Sequence, residues 1–479
     1  TNLSEMVRLV FFVAKNSKKG LTKGEKNAAK PFGTRNSKGA TRMNKYPIQL
    51  REKVNGLIGE MEKYAYLFSK NGEKDFTRKR KIPFSKVIKS LIYMGGQSLN
   101  RELLEIWHLD QQTPTGSAFI QQRSKLSKDA LPFLFEELNE MFPGRRDIDG
   151  YRILACDGSD LHYAANPKDT ASYFRADENS RGYNLLHLNA LYDLQSKRYV
   201  DAIVQPRREA DEIGAFISMI DRFKGDEKTI FVADRGYESY NVLAHIQERG
   251  MKYVLRIKKP SSSGILKSLH LQENCTFDLA FSYFLTKKQT NFVKQDRGLY
   301  HILTKEHRFD FCDLHHALYY PISFRVVSVE IAAGVFEYLI TNLDPVSFPP
   351  DKLKCIYKLR WGIETSFRDL KYTIGLSAFH SKKAEFISQE IFARLIFYNL
   401  CEMVVSHAAI FHRTASHVYQ LNFSQTVHIL RRFFSLAPDD PPLDVISLIH
   451  KYLLPVRPDR CNPRKVHFRS AVSFIYRIA

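Results

Sequence analysis

Four polar side chains recur at helical spacing in the last third of the chain. Tyr357, Arg360, Glu364 and Lys371 stand at successive intervals of three, four and seven residues. At about 100° per residue, their side chains fall within roughly 60° of one another on an α-helix. One face would therefore carry a carboxylate between two cations and a phenol. That combination suits a divalent cation beside a phosphodiester, because the carboxylate can ligate the metal while the cations hold phosphate oxygens.

An apolar face beside the polar one would hold it against a core. Its members follow helical spacing and are Ile356, Leu359, Ile363, Phe367, Leu370 and Ile374. The two patterns together predict a helix over residues 357–371. For the polar stripe taken alone, a solvated face with salt bridges at helical spacing is the alternative.

Two aspartates follow strand-like runs further upstream. Residues 151–156 read as a buried strand that leads to Asp157, and residues 229–233 read the same way before Asp234. Short apolar, β-branched runs that end in an acidic residue and glycine are typical of strands whose ends form a site. For each aspartate taken singly, a turn-forming residue at a strand end is the alternative.

Together with Glu364, these aspartates supply three carboxylates, two on strands and one on a helix. Such a set predicts an oxygen-ligand cage for two magnesium ions. Two rivals lie close by in the sequence: Asp160 could replace Asp157, and Asp211 could replace Asp234. We prefer Asp157 and Asp234 because each directly follows a hydrophobic strand.

In these residues the chain resembles the DDE transposases of the insertion-sequence-4 family. The family signature is Tyr, Arg, Glu and Lys separated by two, three and six residues, and it is matched by Tyr357, Arg360, Glu364 and Lys371. Other segments that look like the family are 153–159, 232–237, 375–383, 393–395 and 398–399. The resemblance covers roughly residues 80 to 405 of the chain.

The resemblance implies an α/β fold, a ribonuclease-H-like catalytic core interrupted by a mainly β insertion, with helical N-terminal DNA-binding and helical C-terminal regions. Asp157 would lie centrally on the first strand, Asp234 at the end of the fourth, and Glu364 on the helix after the insertion. Asp157 would bridge two Mg²⁺ ions, for which Mn²⁺ can substitute, and the other two carboxylates would each complete one ion's shell.

The resemblance also implies DNA contacts and partners. Arg360 and Lys371 would hold phosphates near the transposon end, and Tyr357 would hydrogen-bond there. In family members that excise through a DNA hairpin, a flipped base stacks on an aromatic ring, and Tyr338 is the matching residue here. The expected partners are double-stranded DNA, at transposon ends and target, and a second copy of the chain in a synaptic homodimer; no membrane is expected.

Composition agrees with a nucleic-acid partner. The chain has 479 residues, a formal charge of +21 and a pI near 9.5, which imply a polyanionic partner. An acidic membrane surface is the alternative, but no apolar run is long enough to span a bilayer, and residues 395–410 read as a buried helix. Six cysteines without paired spacing predict free thiols in a reduced cytosolic compartment. The family resemblance further implies a nucleoid-associated protein in the cytoplasm of a bacterium or archaeon.

Composition shifts divide the chain into six regions. We expect a basic, disordered arm (1–43), a helical DNA-binding domain (44–148), a first part of the core (149–259), a β-rich insertion (260–334), a second part of the core (335–405) and a C-terminal helical region (406–479). The arm ends at Met43. We interpret the residues before Met43 as upstream or added sequence; a transit peptide is the alternative.

Three of these regions carry hypotheses of their own. In the DNA-binding domain, residues 115–126 resemble the second helix of a helix-turn-helix, with Gln121, Gln122, Arg123 and Lys125 as candidate base contacts and a solvated helix face as the alternative. The insertion interleaves basic and aromatic residues, which suits DNA contact. A zinc site there, built from His301, His307, Cys312, His315 and His316, is less favoured because the usual paired spacing is missing.

The C-terminal region contains two amphipathic stretches, residues 418–434 and 445–453. They would pair two protomers or pad the core of one. The sequence as a whole therefore predicts a DNA transposase that binds the terminal inverted repeats of an insertion sequence and cuts and joins DNA with Mg²⁺. A domesticated, non-catalytic DNA-binding protein and a stand-alone metal-dependent nuclease are the alternatives.

Overall fold

The structure is a computed structural model, and it describes residues 45–456 except 79, 176, 180–181, 305–307, 313–317, 409–418 and 438–439. The predicted arm over residues 1–43 lies outside these ranges. By its internal contacts the chain divides into two units. Unit 1 comprises residues 1–143, 163–166 and 369–479, and unit 2 comprises residues 144–162 and 167–368.

Unit 1 is helical, as the sequence predicts for its N-terminal part. Its first five helices are α1 (Lys45–Lys63), α2 (Phe84–Tyr93), α3 (Leu99–Ile106), α4 (Gly116–Arg123) and α5 (Ala130–Met141). Apolar residues recur at helical spacing and are buried, as Val87, Ile88 and Leu91 are on α2. Thr115 starts α4 by accepting a hydrogen bond from the Ala118 N–H, which gives one of the unpaired N–H groups of the first turn a partner.

Unit 2 contains the large sheet. Its strands are β1 (Arg152–Tyr163), β2 (Tyr173–Phe174), β3 (Tyr183–Asp193), β4 (Arg198–Pro206), β5 (Thr229–Ala233), β6 (Lys252–Ile257), β7 (Phe277–Thr286), β8 (Tyr300–Ile302), β9 (Tyr320–Ala332) and β10 (Val335–Thr341). Its helices are α6 (Glu212–Arg222), α7 (Tyr240–Glu248), α8 (Asn291–Gln295), α9 (Pro350–Lys358) and α10 (Trp361–Arg368).

The strands form one mixed sheet with the order β2-β3-β1-β5-β6-β10-β9-β7-β8, and β4 pairs with β3. β1, β5 and β6 are parallel neighbours, whereas β3 and β4 are antiparallel. All five residues of β5 are buried, which is typical of a parallel strand covered on both faces. The strands of the predicted insertion continue the same sheet, because β10 pairs antiparallel with both β6 and β9.

Unit 1 also contains the C-terminal elements, which are α11 (Ala384–His407), β11 (Tyr419–Leu421), α12 (Phe423–Ser435), α13 (Val445–Lys451) and β12 (Leu453–Pro455). Helix α11 is buried around most of its circumference, including Leu395, Ile396 and Phe397, which confirms the predicted buried helix. Within residues 45–456 and outside the gaps given above, no helix is both long and apolar enough to cross a bilayer.

Helix α12 packs its apolar face within unit 1. Phe434 stacks on Tyr93 at 5.8 Å between ring centroids and lies edge-on to Phe397 at 6.5 Å. Val427, Leu430 and Phe433 are buried as well. The apolar face is thus covered inside the unit, which favours the padding role over the pairing role for this stretch. The cysteines of the described ranges, Cys156, Cys275, Cys312, Cys355 and Cys401, are free thiols, as predicted.

Candidate active site

Asp157 and Asp234 are brought side by side by the pairing of β1 with β5. The two strands are parallel and in register, with Cys156 opposite Ala233, so each aspartate follows a paired residue. Asp157 lies in the middle of β1, and Asp234 directly follows β5 and caps a short 3₁₀ turn through its carboxylate. Asp157 lies within the first strand as predicted, whereas Asp234 follows the fifth strand and not the predicted fourth, because the two-residue strand β2 was not predicted.

The segment that carries Glu364 differs from the predicted continuous helix. Helix α9 ends at Lys358, α10 begins at Trp361, and a π-helix follows over Asp369–Thr373. Between the helices, N–H groups bond three residues back, from Leu359 to Ile356 at 3.1 Å and from Arg360 to Tyr357 at 3.0 Å.

Such bonds tighten the chain to about three residues per turn and change the direction in which side chains point. Leu359, expected on the apolar face, is consequently 40 % exposed. Ile356, Ile363, Phe367, Leu370 and Ile374 are buried as predicted.

Tyr357 and Arg360 turn inward and contact the acidic residues. The Tyr357 hydroxyl donates a hydrogen bond to Asp234 Oδ1 at 3.4 Å. Arg360 Nη2 pairs with Glu364 Oε1 at 2.7 Å, and the guanidinium lies 5.6 Å from the centre of the Tyr357 ring. The whole of Arg360 is only 4 % exposed, so its charge acts mainly on the carboxylates around it.

Electrostatics tie the three carboxylates together. The pKa of Asp157 is raised from 3.8 to about 6, chiefly by burial and to a smaller extent by the negative charges of Glu364 and Asp234. The Gly158 N–H and the Arg360 guanidinium oppose this increase. For Tyr357, burial raises the pKa to about 12, and the charge of Asp234 acts in the same direction, so its hydroxyl keeps its proton and can donate it.

This donor set fits an oxygen-preferring divalent cation. Three carboxylates are hard ligands of the kind that Mg²⁺ takes, and the charges of Glu364 and Asp234 both act on Asp157. Among the described residues, however, no group of three or more His, Cys, Asp or Glu side chains already stands in position to hold a metal ion. Arg360 supplies the positive charge instead, and its Nε is buried without a hydrogen-bond partner among those residues.

The rival aspartates have structural roles. Asp160 pairs with Arg207 at 3.0 Å and with His187 at 2.6 Å. Although burial acts to raise the pKa of Asp160, these partners lower it overall. Asp211 begins α6, because its carboxylate accepts a hydrogen bond from the Gly214 N–H at 2.8 Å.

Two further residues, Lys371 and Tyr338, were predicted to contact DNA near the site. Lys371 lies in the π-helix of unit 1, so its place relative to the three carboxylates stays a prediction. Tyr338 was expected to stack on a flipped base, but it is only 5 % exposed. Its ring packs at 6.1 Å from that of Phe277, and its hydroxyl accepts a hydrogen bond from the Asn274 N–H. At this exposure too little of the ring is open for a base to stack on it in this structure, and the prediction for Tyr338 is corrected.

Sequence reasoning passed over Trp361, the aromatic residue that the fold exposes here. Its side chain is the first of α10 and is 54 % exposed, and the Arg360 guanidinium lies 5.4 Å from its ring centre. The signal was available, because Trp361 follows the signature arginine directly in the sequence. Unit 2 also contains a polar cleft of about 310 Å³, whose lining includes Arg235, Arg256, Lys258, Lys259, Glu273, Glu337 and Tyr338.

The candidate base-reading residues of α4 separate into accessible and inaccessible ones. Gln121 is exposed, and Gln122 and Lys125 are half-buried and hydrogen-bonded to each other at 3.1 Å. Arg123, by contrast, is 2 % exposed and pairs with Glu390 at 2.8 Å. The prediction that Arg123 contacts DNA is therefore corrected, because a buried ion pair holds its guanidinium inside unit 1.

The less favoured zinc site is not formed by the described residues. His301 packs against the rings of Tyr240 and Tyr283 at 5.1 and 5.4 Å, and Cys312 is buried. His307, His315 and His316 lie outside the described residues.

A mixed sheet whose parallel strands present two aspartates near a glutamate on a following helix defines an α/β protein with an acidic site at its strand ends. A family model described as "Transposase DDE domain" matches residues 148–400, which is more than half of the chain. The chain therefore belongs to the DDE transposases. A partial match to a transposase of insertion sequence element IS4 agrees with the predicted resemblance to the insertion-sequence-4 family.

Two individual proteins are similar to the chain over different lengths. "Transposase InsG for insertion sequence element IS4" of Escherichia coli (strain K12) is 28 % identical over 157 residues, which cover 31 % of this chain and 35 % of that protein. The match thus spans about a third of the relative's length. A solved structure of the piggyBac transposase synaptic complex with hairpin DNA covers 74 % of this chain and 71 % of its own, at 10 % identity. Its TM-score of 0.38 is too low to bear on the fold.

Proposed function

We propose that the protein is a DNA transposase that binds the terminal inverted repeats of an insertion sequence and performs Mg²⁺-dependent strand cleavage and strand transfer by a cut-and-paste route. The observation that carries the proposal is the pairing of β1 with β5, which sets Asp157 beside Asp234 in a chain of the DDE family. Mn²⁺ is expected to substitute for Mg²⁺.

The three carboxylates have distinct places in this proposal. Asp157, held in the middle of β1, would be shared between two ions, and Asp234 and Glu364 would each serve one of them. When bound, a pair of divalent cations activates the attacking hydroxyl and stabilises the leaving oxygen. The parallel pairing of β1 with the fully buried β5 would hold the two aspartates in place, so their positions would need little reorganisation before reaction.

Arg360 has two tasks in the proposal. In the metal-free protein it offsets the repulsion of Glu364 and its neighbours, which otherwise would favour protonated carboxylates. Once cations neutralise these groups, its guanidinium can turn to a phosphate oxygen, which would also satisfy the unpartnered Nε. Tyr357 orients Asp234 through its hydrogen bond.

DNA contacts near the site follow from exposure and charge. Trp361 replaces Tyr338 as the aromatic residue proposed to stack on a base, because its ring is accessible. The cations of the polar cleft next to Asp234 suit the phosphates of the flanking strand. Lys371 keeps its proposed role at the transposon end.

The proposed core is ribonuclease-H-like, made of β1, β3, β4, β5 and β6 with their helices. The antiparallel β3 and β4 on one side and the parallel β5 and β6 on the other support this assignment. The insertion would then be the extension of that sheet by β7, β8 and β9, and residues 44–148 would be the DNA-binding domain.

The test uses linear DNA that carries the sequence flanking the chain's own reading frame. Asp157→Asn, Asp234→Asn and Glu364→Gln should each abolish Mg²⁺-dependent cleavage and leave DNA binding within a few-fold of wild type, because the carboxylates ligate metal. Mn²⁺ should raise the melting temperature of the wild-type protein and have little effect on these variants. Asp211→Asn is the matched control, since asparagine also caps helices well and Asp211 lies outside the site.

The outcomes separate the proposal from its alternatives. Cleaved ends without any joined product would identify a stand-alone nuclease. Binding without nicking by the wild-type protein would identify a non-catalytic DNA-binding protein. Full cleavage by any of the three carboxylate variants would remove that residue from the site. Two-end complexes, expected for a synaptic homodimer, are scored on the same DNA by gel shift.

A further inference from the structure

A groove in unit 1 has no role in the site described above. It has a volume of about 740 Å³ and lies between the end of α1, the loop over residues 70–83 and the end of α4. Its floor contains Phe76 and Phe84, whose rings meet edge to face at 5.4 Å. Lys74, Arg78, Arg80 and Lys125 line its walls.

The cations of this groove are available to a partner. Lys74, Arg78 and Arg80 are exposed, and none of them forms an ion pair with a described residue. Two carboxylates also line the groove, but Glu62 is engaged by the N–H and the hydroxyl of Ser85 at 3.0 and 2.8 Å. Four cations against two carboxylates leave the groove positive.

The loop that presents these cations is held by packing contacts at Phe76. Phe76 has a φ of 58°, which is strained for a bulky side chain and persists only where surrounding contacts fix it. Those contacts are the Phe84 ring and the Lys125 ammonium, which lies 5.9 Å from the Phe76 ring centre. These contacts anchor Phe76, which lies between Lys74 and Arg78 in the chain.

We infer that this groove binds the sugar-phosphate backbone of double-stranded DNA through Lys74, Arg78 and Arg80. The inference rests on the proposed function, which makes DNA the partner. Phosphate contacts fix the register of a protein on a duplex without reading its sequence, and exposed Lys and Arg side chains commonly make these contacts. The loop thereby takes over the positioning that Arg123 of α4 cannot supply from its buried place.

The test is the salt dependence of DNA affinity for the full chain carrying Lys74→Ala, Arg78→Ala and Arg80→Ala together. Each lost phosphate contact lowers the slope of log affinity against log salt by about 0.9, so three contacts lower it by roughly 2.7. Between about 50 and about 200 mM salt the variant should then lose roughly 40-fold less affinity than wild type. The loss at low salt should be equal for the flanking sequence and for an unrelated duplex.

The matched control removes three cations of unit 1 that are already paired. Lys63, Arg101 and Arg432 form ion pairs with Glu60, Glu105 and Asp440, so Lys63→Ala, Arg101→Ala and Arg432→Ala change net charge by the same amount. An unchanged slope in the groove variant, or an equal loss in the control, overturns the inference. If the groove variant binds like wild type while wild type cleaves DNA, the groove assignment fails and the proposed function stands. If wild type binds no duplex, both fail.

Discussion

Replacing Arg123 by methionine tests whether this residue holds unit 1 together or reads DNA. Its guanidinium pairs with Glu390 at 2.8 Å, donates to Gln389 Oε1 at 2.9 Å and donates to the Phe386 carbonyl. The side chains of Arg123 and Glu390 are each 2 % exposed. Removing one partner of such a pair leaves an uncompensated buried charge, which costs about 3 to 5 kcal/mol.

The lower end of that range is expected here, because Glu390 keeps a second partner. The carboxylate still accepts hydrogen bonds from the His380 N–H and ring, at 3.0 Å each. Arg123→Met should therefore lower the free energy of unfolding of unit 1 by about 3 kcal/mol. A double variant that also carries Glu390→Met should recover much of the loss, because it no longer buries a lone charge.

The assay is urea unfolding followed by the fluorescence of Trp107, which is buried in unit 1. The chain has two tryptophans, so a Trp361→Phe background leaves Trp107 as the only fluorescent tryptophan. Gln121→Ala, an exposed change on the same helix, is the control and should shift stability by less than about 0.5 kcal/mol. A stable Arg123→Met protein with sequence-specific loss of DNA affinity would refute the reasoning and restore Arg123 to base reading.

Two other predictions concern unit 2. The pKa of Asp157 is about 6 in the folded protein and ordinarily 3.8, so the folded state binds this proton more tightly than the unfolded state does. The free energy of unfolding therefore falls as pH rises from about 4 to 6. In EDTA, Asp157→Asn should therefore be more stable than wild type by up to about 3 kcal/mol at pH 8 and by little at pH 4.5. Thermal melts at the two pH values measure this difference, and a gain in stability that does not depend on pH would contradict the explanation. Trp361→Ala should reduce cleavage at least ten-fold while Tyr338→Phe leaves it within two- to three-fold, measured on end-labelled DNA; the reverse order would return the stacking role to Tyr338.

The positions of Asp157 and Asp234 could be predicted because the signal is local. Each follows a short run of buried apolar residues that has few alternatives to a strand, and parallel strands deliver their following residues to one edge. The register that sets Cys156 opposite Ala233 was not readable from either run alone. Similarity to a known family supplied the pairing of the two segments that periodicity could not.

The wrong predictions concern residues whose environment is set by contacts with distant parts of the chain. Arg123 looked like a polar residue on an exposed helix, and its partner Glu390 lies 267 positions away. Tyr338 is buried against Phe277. This contact forms only because the strands of the insertion join the same sheet as the core strands. The break between α9 and α10 follows from three-residue hydrogen bonds at Leu359 and Arg360, whose side-chain types are compatible with a continuous helix.

Family-like segments in this chain serve structure as well as chemistry. Arg394 lies in such a segment and donates to the carbonyls of Leu91 and Gly95, which closes the C-terminal end of α2. Gly375 has a φ of +96°, and a Cβ there would meet Gly96 N at 3.3 Å. Both residues are explained by the packing of unit 1 without any contact to DNA.

The place of a buried arginine in a family motif therefore does not tell whether the arginine supports the fold or belongs to the active site. Arg394 and Arg123 direct their guanidinium groups at carbonyls or at one buried carboxylate, which accounts for them as supports. An unpartnered nitrogen alone is not diagnostic, because Arg431 Nε is also buried without a partner among the described residues. Arg360 differs because the guanidinium that has the unpartnered Nε also pairs with Glu364 and acts on Asp157, whose pKa is raised first by burial and then by the charges of Glu364 and Asp234. The free Nε–H of Arg360 can still bind a negatively charged ligand beside carboxylates that can bind metal. A site for a metal-bound phosphate requires both groups.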